Sequence, residues 1–234
     1  MSQKRLIVNA DDFGQSLGIN KGIIQAHEEG IVTSASLMVR YPAVADAVAY
    51  SKSHTALGVG LHIDLGEWFY SDGEWKALYE VVNLEDAEAV KAEVYHQLEI
   101  FKKLTGKKPT HIDSHQHVHL RENILPVIKQ VAEQLDVTLR RCSDKVKYCG
   151  EFYGQAEDGS PYHKAIEVEA LSEVISSIQD DITEMACHPG FLDDMQTMYK
   201  TERQIEVQTL CDQRIREVIK RTRIHLCSFE HITF

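Results

Sequence analysis

The fold is decided early in the chain, by residues 5–14, which read RLIVNADDFG. The run Leu6-Ile7-Val8 is continuously apolar, and it predicts a buried strand over residues 5–10. Strands buried on both faces are typical of parallel sheets covered by helices. Asp11 and Asp12 follow at the carboxyl end of this strand, where parallel α/β folds place their chemistry.

Predicted strands and helices alternate along the rest of the chain. Apolar runs and helical spacing predict strands and helices in β-α-β-α-β order, which indicates a largely parallel sheet with helices on its faces. The strands are expected at residues 33–39, 57–62, 111–119, 137–141, 182–187 and 224–227, and the helices at 17–29, 42–53, 83–106, 122–134, 168–178 and 202–221. Residues 64–82 and 143–161 are expected to be irregular, and the first of these segments is rich in aromatic residues.

Composition limits the classes of function. The 234 residues are 43% hydrophobic, which fits one α/β domain over residues 1–234. The 36 acidic and 25 basic residues give a net charge of −11, which disfavours a nucleic acid or an anionic membrane as partner. We expect no transmembrane span and no signal peptide. Five cysteines without a Cys-x-x-Cys pair indicate reduced thiols in a cytoplasmic protein.

Residues 111–120, HIDSHQHVHL, hold four of the twelve histidines, all at odd positions together with Asp113. On one strand, these side chains would project to the same side. A row of imidazoles with a carboxylate is a poor apolar core and a natural source of metal ligands. The alternative is a solvated, histidine-rich edge strand. We expect the strand to break near Ser114, so that the four histidines cannot all share one site.

Further polar residues lie at the ends of other predicted strands. His62 ends the third strand, and His188 ends a later one before the turn-forming Pro189-Gly190. Singly, each has an ordinary explanation, as a hydrogen-bonded histidine or a helix-capping aspartate. Together with Asp11, Asp12 and His115 they describe a metal-dependent hydrolase. One aspartate and two histidines leave positions open on a divalent ion, and the other groups can accept and donate protons.

Two other classes remain open at this point. A metal-dependent phosphoesterase could use the same residues, although such enzymes usually have more carboxylates for two metals and more basic groups for phosphate. A non-catalytic metal-binding protein would explain the histidine-rich segment, but it would not explain the Asp-Asp pair or His188.

Five segments resemble the YdjC-like carbohydrate deacetylases, a family that includes chitooligosaccharide deacetylase. The segments span nearly the whole chain and are residues 9–14 (NADDFG), 30–34 (GIVTS), 60–62 (GLH), 110–119 (THIDSHQHVH) and 187–189 (CHP). The resemblance implies a deformed NodB-like (β/α) barrel and one divalent ion, magnesium or alternatively zinc. It also implies removal of acetate from N-acetylglucosamine units of short oligosaccharides such as diacetylchitobiose.

The resemblance also implies roles for individual residues. The metal ligands should be Asp12, His62 and His115, the general base Asp11 and the general acid His188. Apart from the resemblance, Phe13 and Trp68 are candidates to stack on a sugar ring and Arg140 is a candidate to contact the substrate. Arg140 or Arg141 could also orient Asp11. The sequence leaves open which acetylated sugar is used, whether His117 or His119 takes part, and whether the chain is a monomer or a homodimer.

Overall fold

The protein is described by a computed structural model over residues 3–179, 181–191 and 198–232. Its strands are β1 (Arg5–Phe13), β2 (Ser34–Leu37), β3 (Gly58–Ile63), β4 (Gly66–Ser71), β5 (Glu74–Glu80), β6 (His111–Ser114), β7 (Thr138–Leu139), β8 (Lys147–Cys149), β9 (Ile182–Cys187) and β10 (His225–Leu226). Its helices are α1 (Leu17–Glu28), α2 (Val44–Ser53), α3 (Ala87–Thr105), α4 (Leu125–Leu135), α5 (Val168–Ser177), α6 (Thr201–Cys211) and α7 (Gln213–Thr222). Of the helices described, none has both the length and the apolar character needed to cross a membrane.

The main sheet is parallel and has β1 near its centre. Its strands follow the order β7-β6-β3-β2-β1-β9-β8, and β10 pairs with the first two residues of β1. The sheet curls into a deformed barrel. The barrel stays open, because within the described ranges no pairing joins the edge strands β7 and β8. The predicted fold, a single domain with a largely parallel sheet and covering helices, is confirmed.

The two faces of β1 bury different kinds of side chain. Leu6 and Val8 are fully buried in the main hydrophobic core, and burial of such a side chain contributes about 1.5–3 kcal/mol. Ile7 points the other way, into a small apolar cluster that also contains Phe229. Because side chains alternate, Asn9 and Asp11 follow Ile7 on this second face. The inner face of the curled sheet is therefore apolar where β1 begins and polar where it ends.

The predicted irregular segment at residues 64–82 is wrong, because β4 and β5 form an antiparallel hairpin there. Ser71 pairs with Glu74, which leaves a two-residue loop of Asp72 and Gly73. Both loop residues have positive φ, 56° and 83°. Asp-Gly is the sequence favoured for such a turn, since glycine takes the left-handed conformation without a steric penalty. The dipeptide was the signal that could have identified the hairpin.

The histidine-rich segment breaks where expected but does not place its odd-numbered residues on one side. Strand β6 ends at Ser114, and a 3-10 turn follows over His115–Leu120. Within the turn, Gln116 and His117 both have left-handed backbone, with φ of 48° and 54°. The alternation of a strand therefore stops before His115, and the prediction of a one-sided row is wrong.

Two other predicted elements differ from the structure. The helix expected at residues 202–221 is divided into α6 and α7 at Asp212, whose backbone is extended. The Asp212 carboxylate accepts a hydrogen bond from the backbone N–H of Arg214 at 2.8 Å, so this residue caps α7. In the segment 143–161, expected to be irregular, Lys147–Cys149 form β8 and pair with β9.

Candidate active site

A cavity of about 1020 Å³ opens at the carboxyl ends of the parallel strands. All five residues predicted for catalysis and metal binding line it: Asp11 and Asp12 from β1, His62 from β3, His115 after β6 and His188 after β9. The carboxyl edge of a parallel sheet gathers side chains from strands that are distant in sequence. The structure therefore brings the five side chains named from the sequence together in one cavity.

Asp12, His62 and His115 form a compact group of metal-ligand type. Asp12 Oδ1 lies 3.1 Å from His115 Nδ1 and 3.4 Å from His62 Nε2. One ligand atom from each residue lies within 4.8 Å of the others. The donor set, one carboxylate oxygen and two imidazole nitrogens, suits a divalent ion. His115 Nε2 is also buried without a hydrogen-bond partner among the described residues. The group therefore fits a divalent metal.

The backbone of Asp12 is in the left-handed region, with φ of 68°. The pairing of β1 with β2 shifts register at this point, between Ala10 and Phe13. Such conformations cost about 1–3 kcal/mol for a residue other than glycine and persist where the surrounding structure enforces them. They cluster at functional sites, and here the distortion lies at a candidate metal ligand.

His62 is oriented by a second carboxylate. Its Nδ1 lies 2.8 Å from Asp113 Oδ1, which leaves Nε2 directed toward Asp12. Histidines that bind metals commonly donate their other ring N–H to a carboxylate in this way. Burial alone would lower the pKa of His62, but the Asp113 charge, the hydrogen bonds to Asp113 and Asp12 and the Asp11 charge together raise it well above its usual value. Asp113 was noted in the sequence only as part of the histidine-rich segment.

Asp11 has one carboxylate oxygen fixed and the other directed toward His188. Its Oδ1 accepts hydrogen bonds from Arg140 at 2.7 Å and from the Asn9 amide at 2.8 Å. Its Oδ2 lies 3.7 Å from His188 Nε2. Burial and the Asp113 charge would raise the pKa of Asp11, yet Arg140, His62 and His188 together hold it below the usual value. Asp11 is thus an ionised carboxylate that can accept a proton at Oδ2.

A second group, Asp11, His62 and Asp113, also has ligand atoms close enough for an ion. Arg140 donates hydrogen bonds to both of its carboxylates. A metal ion there would lie against a buried guanidinium, and two positive charges repel strongly where little water screens them. The group around Asp12 also meets a guanidinium, that of Arg203, but only at Oδ2, and its Oδ1 stays directed toward the two imidazoles. It is therefore the better candidate for a metal site.

Two of the predicted substrate contacts do not reach the cavity. Phe13 is fully buried in the hydrophobic core, so that its ring is not available to stack on a sugar. Arg140 is 1% exposed and contacts three carboxylates, those of Asp11, Asp113 and Glu184. Its pairing with Asp11 agrees with the predicted role in orienting the base. A direct contact with substrate does not agree with its burial. Trp68 does line the cavity.

The His188 segment is held by contacts on several sides. The imidazole meets the rings of Tyr153 and Tyr199 at centroid distances of 5.5 and 5.4 Å. Burial lowers the pKa of His188, and the Asp11 carboxylate opposes that shift. Beyond it, Gly190 packs so tightly on α1 that a Cβ at Gly22 would lie 2.4 Å from its Cα. This close approach fixes the turn after β9.

Helix α6 contributes two charged residues that the sequence analysis missed. Arg203 donates to Asp12 Oδ2 at 2.6 Å and to the His188 carbonyl at 3.3 Å. Glu206 accepts hydrogen bonds from the His188 backbone N–H and the Tyr199 hydroxyl, and burial raises its pKa to about 8. A helix face with such charges ordinarily faces solvent, so the sequence carries no clear signal for these roles.

Neither His117 nor His119 joins the group around Asp12. His119 is buried, with Nδ1 2.9 Å from Ser114 Oγ and Nε2 3.2 Å from the Arg140 carbonyl. His117 lines the cavity and meets Tyr148 edge to face at 6.0 Å. Both ring nitrogens of His119 are therefore used in hydrogen bonds within the protein, whereas His117 is placed to face a ligand in the cavity.

The hairpin of β4 and β5 forms a wall of the cavity and is attached to the turn that carries His115. The Gln116 side chain accepts from the Trp68 N–H at 2.8 Å and donates to the Trp68 carbonyl at 2.7 Å. The Arg121 guanidinium lies 5.0 Å from the centre of the Trp68 ring. Glu67, one residue earlier, places its carboxylate 3.9 Å from His115 Nε2. The wall and the metal-ligand group are thus linked through adjacent residues.

Comparisons with known proteins agree with this arrangement. A profile of the family described as YdjC-like protein matches residues 5–221. A carbohydrate deacetylase of Brevibacillus brevis is 31% identical over 97% of this chain and 99% of its own length, and one of Geobacillus stearothermophilus is 36% identical over 80% of each. A crystal structure from Enterococcus faecalis, named for cellobiose-phosphate cleavage, superposes with a TM-score of 0.82 at 27% identity over the whole of both chains. A CE4 esterase of Streptococcus mutans shares the fold, with a TM-score of 0.63 at 13% identity over 97% of this chain and 86% of that one. The chain therefore belongs to the YdjC-like family.

Proposed function

We propose that this chain is a metal-dependent carbohydrate deacetylase. Its substrates would be N-acetylglucosamine units of short oligosaccharides such as diacetylchitobiose. Its ion would be magnesium, as the resemblance to the family implies, or zinc, which two imidazoles and a carboxylate also suit. The observation that carries the proposal is the placement of the Asp12, His62 and His115 group beside the Asp11–His188 pair in one cavity. The names of the curated relatives support the same activity.

Asp12, His62 and His115 would hold the ion. When bound, it supplies Lewis acidity that polarises an acetyl carbonyl and favours ionisation of water. Two neighbouring residues orient the proposed ligands. Asp113 fixes the ring of His62, and Arg203 holds Oδ2 of Asp12. These positions are enforced by buried contacts, and they do not depend on mobile side chains.

Asp11 would act as the general base. Arg140 and Asn9 hold Oδ1, so that Oδ2 is the oxygen that accepts the proton of the attacking water. The lowered pKa keeps the carboxylate ionised at neutral pH. His188 would act as the general acid, donating a proton from Nε2 of its protonated form to the departing sugar amine. The Asp11 carboxylate 3.7 Å away favours that form and opposes the burial that lowers the pKa of His188. An amine anion is too basic to leave without that proton.

The phosphoesterase alternative has a weaker basis in the site. Within the described residues a second ion would need the Asp11, His62 and Asp113 group, and Arg140 is already paired with both of those carboxylates. That group also shares His62 with the first one. The name of the Enterococcus relative makes phosphate release a necessary comparison in any assay of this chain.

The proposal is tested by measuring acetate release from diacetylchitobiose and phosphate release from p-nitrophenyl phosphate, each with and without a chelator. We expect acetate only, and none after chelation. His115→Ala should lose the ion in a metal analysis and lose activity, while its circular dichroism stays that of the wild type. His96→Ala, on the exposed face of α3, is the matched control and should retain both. Full metal occupancy in His115→Ala would contradict the ligand assignment, and phosphate release alone would contradict the reaction.

A further inference from the structure

Exposed apolar side chains are concentrated around the opening of the cavity. Six large hydrophobic residues are exposed in the described part of the chain, and four of them line this cavity. We call these four the mouth cluster: Trp75 at 55% exposure, Leu78 at 50%, Tyr153 at 41% and Met198 at 39%. Exposed apolar groups that gather in one place, rather than scattering singly, mark a binding surface.

Two members of the mouth cluster, Trp75 and Met198, are linked through neighbouring residues. Trp75 meets Tyr70 of the same hairpin at a ring distance of 5.6 Å. A Cβ at Gly159 would lie 3.8 Å from Tyr70 Cβ and 2.6 Å from Met198 Cε. The loop with Gly159 therefore lies between the hairpin and Met198.

The mouth cluster also adjoins the reacting groups. Tyr153 stacks on Tyr199, with centroids 5.1 Å apart and ring planes at 14°, and its ring lies 5.5 Å from that of His188. A ligand seated against Tyr153 would be next to the proposed general acid. This continuity with the catalytic cavity separates the mouth cluster from a surface for an unrelated partner.

We propose that the mouth cluster is the subsite for the sugar ring that adjoins the acetylated unit of an oligosaccharide; this rests on the proposed deacetylase function. Aromatic faces and apolar side chains pack against the C–H faces of a pyranose ring, and Trp75 and Tyr153 supply such faces. The cavity volume lies at the top of the range of about 300–1,000 Å³ typical of ligand pockets, so there is room beyond a single ring. The chain would therefore prefer a disaccharide over a monosaccharide.

The position of the hairpin explains how the subsite keeps its geometry. Gln116 holds the Trp68 backbone with two hydrogen bonds, and it directly follows His115 in the chain. The wall that carries Trp75 and Leu78 is thereby fixed relative to the metal-ligand group. A second ring bound at the wall would place the acetyl group of the first at a constant distance from Asp11 and His188.

Kinetics with Trp75→Ala test the subsite. The ratio of kcat/KM for diacetylchitobiose to that for N-acetylglucosamine should fall roughly three- to tenfold, as expected for loss of one aromatic contact. Trp75 is not part of the core, so the variant should fold. Tyr162→Ala removes an equally exposed aromatic side chain, 53% exposed and outside the cavity lining, and should leave the ratio unchanged.

Fluorescence provides a second measurement that does not depend on turnover. The chain has two tryptophans, Trp68 and Trp75, and both line the cavity. Diacetylchitobiose added to an Asp11→Asn background should change their emission, and Leu78→Ala in that background should raise the Kd about threefold or more with metal content unchanged.

The outcomes separate this inference from the proposed function. Saturable disaccharide binding that weakens in Leu78→Ala supports the subsite even if no sugar is deacetylated. Deacetylation with an unchanged substrate ratio in Trp75→Ala and an unchanged Kd in Leu78→Ala overturns the subsite and leaves the function standing. A wild-type dimer that becomes a monomer in Trp75→Ala by light scattering, with the ratio unchanged, would identify the mouth cluster as a contact between copies of the chain and would also overturn the proposal.

Discussion

Replacing Asp11 with asparagine removes a proton acceptor and changes little else in the site. The amide oxygen of asparagine can accept the hydrogen bonds that Arg140 and Asn9 now donate to Oδ1 at 2.7 and 2.8 Å. The amide nitrogen would take the place of Oδ2, the atom 3.7 Å from His188 Nε2, and cannot accept a proton. Arg140 keeps two carboxylate partners, Asp113 and Glu184, so its buried charge stays compensated.

The expected loss of rate is about a hundred- to ten-thousandfold, the usual scale for a general base, and it corresponds to about 3–5 kcal/mol of transition-state stabilisation. The loss should appear in kcat, because Asp11 is proposed to act on the water and not on sugar binding. Metal content should remain that of the wild type, because Asp11 lies outside the preferred ligand group.

The assay combines steady-state acetate release with metal analysis on Asp11→Asn and Asp12→Asn, prepared in parallel. Asp12→Asn should lose the ion, because its carboxylate is the ligand that both histidines approach. If Asp11→Asn loses the metal and Asp12→Asn keeps it, the two roles are exchanged. If Asp11→Asn retains full activity, the residue is not the base.

Three further predictions concern other parts of the chain. His188→Ala should abolish deacetylation of an N-acetyl sugar but spare much of any activity on an activated aryl acetate, whose leaving group needs little protonation; equal losses on both, with metal bound, would exclude the acid role. Gln116→Ala removes two hydrogen bonds to Trp68, each worth about 1 kcal/mol, and should speed hydrogen exchange in the hairpin but not in β9; unchanged hairpin exchange would refute its attachment. His111 is fully buried and burial lowers its pKa to about 3, whereas the unfolded chain takes up the proton near pH 6.5. Stability from this residue is therefore present above pH 6.5 and is lost as pH falls, by about 1.4 kcal/mol per unit. Urea unfolding of the wild type and of His111→Gln from pH 7 to 5 measures this loss, and equal slopes would contradict it.

The sequence predicted the sheet and the composition of the site because both rest on local patterns. Short apolar runs identified the parallel strands, and polar residues at their ends converge wherever parallel strands share a carboxyl edge. Asp12, His62 and His115 are brought together by that geometry alone. The choice of His115 over His117 and His119, and the roles given to the five residues, came from the resemblance to the family.

The residues that the sequence missed are held by contacts over long separations. Arg203 donates a hydrogen bond to Asp12, 191 positions away in the chain. Glu206, one helix turn further along α6, accepts a hydrogen bond from the backbone N–H of His188. Charged residues on a helix are ordinarily solvated, and only tertiary packing shows that these are buried. Phe13 illustrates the opposite error, a functional role predicted for a core residue. Its ring follows Asp11 and Asp12 in the sequence but packs in the core and does not line the cavity.

The long separation between Asp12 and Arg203 has a consequence for synthesis of the chain. Strand β1 is synthesised well before its parallel partner β9 and before Arg203, whose guanidinium meets Asp12 from 191 positions further along the chain. Until then β1 has an unpaired edge, and its apolar side chains are partly uncovered. Contacts of such long range also form slowly. The group around Asp12 should therefore acquire its geometry only after α6 has been synthesised, and truncation of the chain within α6 should yield chains that aggregate rather than chains with reduced activity.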